Sequence, residues 1–214
     1  NTKHLPFTAC TVENDSLCFI FNKEEYVFNF KTNELQNRGY HQDRAVSVSP
    51  DKSKEVFVRD DDLWLKDYAT KEETRLTYDG EKDFAYGKIA EYSGYITERV
   101  KGIPEKPDVL WSPDSSCFLT YKLDQRTVKD LYILQSYDDE HLESIRPRLL
   151  KYKCAFPEDE EVPRAYYYIA DVNKKKMHKV DMEPQISGGP LFGGFYNQAK
   201  WLDDSSAVYT TLVR

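Results

Sequence analysis

The chain lacks most of the signatures that would announce a chemistry. No Gly-x-Ser-x-Gly run occurs in its 214 residues, so it contains no nucleophile elbow. Its four cysteines, Cys10, Cys18, Cys117 and Cys154, form no Cys-x-x-Cys pair and have no short spacing to a histidine. That excludes the usual zinc patterns, and neither a metal nor a cofactor is expected. Cys18 and Cys117 fall in strand-like runs and read as buried free thiols. His4, His41, His141 and His178 are scattered without a nucleophile partner and read as surface or packing residues. No apolar run approaches the ~20 residues that cross a bilayer, and no apolar signal-peptide core follows Asn1-Thr2-Lys3-His4. A basic excess is missing too. The 30 Lys and Arg against 37 Asp and Glu give a net charge of −7, with the basic residues dispersed, so there is no footprint for nucleic acid or an anionic membrane. The chain does not start with Met and is expected to be a processed or excised piece.

What is present is a strand-rich repertoire punctuated by polar turns. Aromatic residues make up 14% of the chain, 16 of them Tyr, against only 9 Gly, which describes a folded protein rather than a disordered one. Trp111-Ser112-Pro113-Asp114 followed by Cys117-Phe118-Leu119-Thr120-Tyr121 is a tight turn that launches a buried strand. Proline fixes φ, and the Ser and Asp side chains can bond nearby backbone N–H groups. Copies of this unit recur. Laying Asn14 on Asp51 brings Phe21 onto Val58, an offset of 37 residues. Asp51 stands 63 residues before Asp114, and Trp111 falls on Trp201 at an offset of 90.

Units of ~40 residues with about four short strands each match β-propeller blades better than a sandwich. The expected fold is therefore all-β, a partial β-propeller of about four to five blades of four antiparallel strands spanning residues 1–214. Two insertions are expected, at about 84–108 and 136–164. The first has no period of two and reads as a short helix or an ordered loop; the second is highly charged. Because the copy at Trp201 ends after one strand, the chain reads as the N-terminal part of a longer propeller.

Three runs, in order, resemble the N-terminal propeller of dipeptidyl peptidase IV-type serine peptidases of the prolyl oligopeptidase family. They are Tyr86-Gly87; Trp111-Ser112-Pro113-Asp114 through Leu123-Asp124 and Val128; and Arg148-Leu149-Leu150-Lys151-Tyr152 with Pro157 to Pro163. The resemblance implies a non-catalytic propeller that gates peptide access to a C-terminal α/β-hydrolase domain and holds the substrate's amino terminus. It also implies a homodimer and a periplasmic, secreted or membrane-anchored parent outside the cytoplasm. Family members carry an adjacent glutamate pair after Tyr-Gly. Here the stretch runs Glu91-Tyr92-Ser93-Gly94-Tyr95-Ile96-Thr97-Glu98-Arg99 without such a pair. Glu98 is the nearest positional match for binding the amino terminus and Glu91 the second; the plain alternative is two solvated carboxylates on an inserted loop.

Other clusters read structurally. Asp60-Asp61-Asp62 lacks the Gly and terminal Glu of an EF-hand loop and reads as a polar hairpin turn. Glu158 to Glu161 reads as a solvated turn, and Tyr166-Tyr167-Tyr168 as blade packing. The rival reading of the whole chain is a stand-alone β-propeller module that binds a peptide or protein with no enzyme attached.

Overall fold

A computed structural model of the chain describes residues 10–13, 15–21, 24–40, 45–90, 105–136, 146–187, 191–192 and 199–210. Among them there is no helix, and every strand pairing is antiparallel. The chain divides into two compact units, residues 1–44 and 45–214.

The first unit is a meander of β1 (Cys10–Glu13), β2 (Ser16–Phe21), β3 (Glu24–Asn29) and β4 (Glu34–Tyr40), paired in that order. The β3–β4 turn is written by Asn29, whose Oδ1 accepts the N–H groups of Lys31 and Thr32 at 2.9 and 3.0 Å. Phe19 and Tyr26 face each other across β2 and β3 with stacked rings 5.5 Å apart. Cys10 pairs with Phe19 and Cys18 with Thr11, so the two thiols point to opposite faces of this sheet and cannot bridge.

The second unit opens with the same plan: β5 (Val46–Val48), β6 (Lys54–Arg59), β7 (Asp62–Asp67) and β8 (Glu73–Arg75). Ser16 and Lys54 open β2 and β6, and Glu24 and Asp62 open β3 and β7, so the strands repeat every 38 residues, one more than the turns suggest. Two residues join β6 to β7, Asp60 at φ 51° and Asp61 at φ 66°. Two left-handed residues in a two-residue loop make the type I′ turn that matches strand twist, and Asp tolerates that conformation better than bulkier residues. The acidic triplet is thus a hairpin turn plus the first residue of β7.

The third sheet is built on β11 (Cys117–Asp124), which pairs along its length with β14 (Arg164–Asp171). Its other edge carries two short strands, β9 (Phe84–Tyr86) near the end of β11 and β10 (Leu110–Trp111) near its start. β9 and β10 are therefore one edge strand interrupted by residues 87–109. The far edge of β14 is likewise shared by β15 (Lys176–Lys179) and β16 (Gln185–Ile186). Between β11 and β14 the chain leaves the sheet to form a separate hairpin, β12 (Asp130–Gln135) with β13 (Arg148–Lys153). β17 (Ala199–Trp201) and β18 (Val208–Thr210) begin the next sheet. The described residues therefore hold three propeller blades and the start of a fourth.

β11 is buried on both faces, which explains why apolar and aromatic residues appear on both of its sides. One face, with Phe118 and Ala170, packs on Val56, Leu63 and Leu65 of the preceding sheet. The other, with Leu119, Tyr121, Leu123 and Tyr167, packs on Ala199 and Trp201. Tyr167 is a core residue there, while Phe84 and Tyr86 meet Tyr166 and Tyr168 edge-on across the opposite face.

The Ser-Pro-Asp turns hold these sheets in sequence. Ser49 Oγ donates to Asp51 Oδ1 at 2.6 Å and accepts Lys54 N–H at 3.0 Å; Ser112 Oγ does the same with Asp114 (2.7 Å) and Cys117 (3.0 Å). Lys52, Ser115 and Ser205 occupy the left-handed position at φ 59°, 63° and 61°. Each turn then reaches its neighbour. Asp51 N–H donates to Ser115 Oγ and Asp114 N–H to Ser205 Oγ, both at 3.1 Å. The indoles follow suit, Trp111 Nε1 donating to Ser47 Oγ at 3.2 Å and Trp201 Nε1 to the Leu110 carbonyl at 2.9 Å. Each such bond adds about 1 kcal/mol, so the repeated turn both launches a strand and docks one blade on the next.

Candidate functional site

At the β6–β7 end of the second blade a buried carboxylate organises a polar cluster. Asp62 is 0% exposed and accepts Thr77 Oγ1–H at 2.6 Å, Gly80 N–H at 2.9 Å and Arg75 Nη2–H at 2.5 Å. Arg75 is further fixed by Nε donating to the Thr77 carbonyl at 2.9 Å and by the Tyr78 ring, 4.9 Å from its Cζ. Its side chain is 37% exposed, and Nη1 has no hydrogen-bond partner among the described residues. A preorganised guanidinium of this kind can donate to a carbonyl or carboxylate oxygen. The close approach at Gly80 requires glycine, because a Cβ there would sit 2.2 Å from the Asp61 carbonyl oxygen.

Beside this cluster the edge strand breaks off. Asp61 accepts Tyr86 N–H on its carbonyl at 3.1 Å and Lys88 Nζ on its carboxylate at 2.6 Å. Gly87, at φ 62°, donates its N–H to the Tyr121 carbonyl and accepts Asp108 N–H on its own carbonyl, both at 2.8 Å. The segment that leaves after Gly87 therefore returns to the same point at Asp108. A second tie holds the returning end. Asp108 Oδ2 accepts Tyr121 Oη–H at 2.9 Å, Leu191 N–H at 2.6 Å and Phe192 N–H at 3.3 Å. Burial pushes this carboxyl above its ordinary range, against the pull of those three donors.

Glu91 and Glu98, the expected amino-terminus ligands, lie outside the described residues, as do His4, His41 and His141. Their segment's two anchoring points, Gly87 and Asp108, are described and meet. His178 sits exposed in β15, paired across the sheet with Ile169. The acidic run does not act as a block: Asp159 binds Lys129 at 2.5 Å and Glu161 accepts Thr127 Oγ1–H at 2.6 Å. Reasoning from the sequence missed Arg75, Asp108 and Lys122. No local pattern marks them. Arg75 follows two Glu and a Thr like any strand-edge residue, and the partners of Asp108 and Lys122 lie up to 84 and 43 residues away.

The family model of the dipeptidyl peptidase IV N-terminal region matches residues 19–214. No curated protein matches the chain. Among solved structures the chain is similar to dipeptidyl peptidase 4 of Porphyromonas gingivalis, at 18% identity and a TM-score of 0.47, over 82% of this chain and 23% of that one. It is also similar to a provisionally assigned dipeptidyl aminopeptidase IV of Bacteroides ovatus, at 13% identity and a TM-score of 0.48, over 92% and 24%. Acylaminoacyl peptidase of Pyrococcus horikoshii gives 13% identity and a TM-score of 0.34, over 86% and 26%. The chain spans about a quarter of the length of these structures.

Proposed function

The chain belongs to the dipeptidyl peptidase IV N-terminal region family, and from that premise we propose that it is the substrate-gating propeller of a dipeptidyl peptidase IV-like serine peptidase. Its parent's C-terminal α/β-hydrolase domain would carry the Ser-His-Asp chemistry, and the propeller would admit peptides by size and hold their free amino terminus. Glu98, with Glu91, is the proposed anchor. An ammonium group needs anionic acceptors, and carboxylates in a partly desolvated cavity fix the distance from the amine to the scissile bond.

The observation that carries this reading is the stitching of Gly87 to Asp108 beside the Asp62–Arg75 pair. It joins Gly87 and Asp108, between which the sequence carrying Glu91 and Glu98 runs, and Arg75 Nη1 would be available to an oxygen of a bound peptide. We further propose that the β12–β13 hairpin meets a second copy of the protein and that the parent works outside the cytoplasm.

The test uses the full-length parent and dipeptide amide substrates with a free amino terminus. Losing one charge-assisted bond worth ~1.5–3 kcal/mol should raise KM of Glu98→Gln roughly ten- to a hundredfold. An unchanged KM removes Glu98 from the site. A parent reading frame without Gly-x-Ser-x-Gly would favour a stand-alone binding module instead.

A further inference from the structure

β11 carries one residue that does not belong in a two-sided core. Lys122 is 2% exposed, in a strand whose other fully buried side chains are apolar or aromatic save the neutral hydroxyl of Thr120. A buried ammonium is costly unless it is paired, and a leucine or methionine would fill the same space without that cost. Its charge is met from outside its own blade. Nζ donates to the Asp79 carbonyl at 2.6 Å and to Asp79 Oδ2 at 2.7 Å, and lies 3.8 Å from the Phe84 ring centroid and 5.1 Å from that of Tyr86. Asp79 Oδ1 accepts Tyr86 Oη–H at 2.9 Å. Burial alone would push the Asp79 carboxyl up, yet the bonds from Lys122 and Tyr86 hold it below its ordinary range.

Asp79 is the middle of a three-residue strap across the polar cluster. Before it, Tyr78 lies against the Arg75 guanidinium and donates its hydroxyl to the Arg75 carbonyl at 3.2 Å. After it, Gly80 N–H donates to Asp62 Oδ1. Among the described residues, the third blade's hydrogen bonds to the strap fall on Asp79, two from Lys122 and one from Tyr86. The strap in turn holds both members of the Asp62–Arg75 pair. We propose that Lys122 is a positioning residue, which pins the Tyr78–Gly80 strap and thereby fixes the direction in which Arg75 presents its guanidinium to a peptide. The assignment of a peptide to Arg75 rests on the function proposed above; the pinning itself does not.

The experiment uses the full-length parent and two readouts, exchange of the Gly80 amide and steady-state kinetics on free-amine dipeptide amides. Lys122→Met should speed Gly80 exchange about tenfold or more by loosening the strap, and raise KM about three- to tenfold with kcat within about twofold. In an Arg75→Met background the same change should raise KM no further, since the effect passes through Arg75. Asp79→Asn, at a side chain that is 67% exposed, should act in the same direction and serves if Lys122→Met does not fold. Unchanged Gly80 exchange in Lys122→Met or, where that variant does not fold, in Asp79→Asn would overturn the proposal. So would an equal rise in KM with and without Arg75. If Gly80 exchange speeds up while Arg75→Met leaves KM unchanged, the pinning stands and the peptide role of Arg75 falls.

Discussion

Asp108 and Asp114 lie on either side of β10 and are tuned in opposite directions. Asp114 is held down to about 2, first by the Ser112 hydroxyl and then by Ser116, so its turn favours the charged form. Asp108 is raised, because burial outweighs the donors that converge on Oδ2. The linkage follows from these signs. A depressed carboxyl stabilises the fold above its unfolded value of 3.8, and that stabilisation is lost as pH falls toward about 2. A raised carboxyl binds its proton more tightly in the folded state, so stability falls as pH climbs through the raised value. Asp114→Ala should therefore lower Tm at neutral pH and converge on the wild type near pH 2. Asp108→Asn should remove the decline in Tm on the alkaline side of the ordinary carboxylate range. Thermal melts across pH check both, and an Asp108→Asn profile with the wild-type slope would contradict the assignment.

Among the described elements, the β12–β13 hairpin stands apart because it forms a two-stranded sheet of its own. One of its faces carries Tyr132 and Leu134, with Leu149 opposite Leu134 across the strands; these three are 55%, 61% and 65% exposed. An apolar patch on an isolated hairpin is the kind of surface that seats a partner, and a second copy is the partner proposed. Leu134→Glu combined with Leu149→Glu in the full-length parent should convert a dimer to a monomer in sedimentation, and a dimer that persists would remove the hairpin from the interface. The elements themselves were largely legible from sequence. The Ser-Pro-Asp turns, the Asp60–Asp62 turn and the β14–β15 hairpin are each written by residues within a few positions of one another. What could not be read locally is what long-range pairing decides. β9 and β10 are a single edge split by an excursion, and nothing within Phe84-Ala85-Tyr86 says that its partner is Lys122 to Asp124. Arg75, Asp108 and Lys122 were missed for the same reason: each is defined by contacts with residues that the sequence leaves far apart.

At the scale of the larger unit, residues 45–214, successive antiparallel sheets are tied by repeated turn-to-turn bonds, and one stretch of irregular sequence leaves and rejoins them at the break between β9 and β10. The chain belongs to the dipeptidyl peptidase IV N-terminal region family, and the parent proposed above would divide the work between this scaffold and a hydrolase domain. Gating and anchoring predict a protein that reads the free end of a peptide. The most direct measurement is the rate at which the full-length parent releases the N-terminal dipeptide from one short peptide, with its amino terminus either free or acetylated. The account predicts cleavage of the free peptide with kcat/KM at least about a hundredfold higher than for the acetylated one, as expected when a charge-assisted anchor is lost. Equal rates on the two peptides, or no release from either, would contradict it.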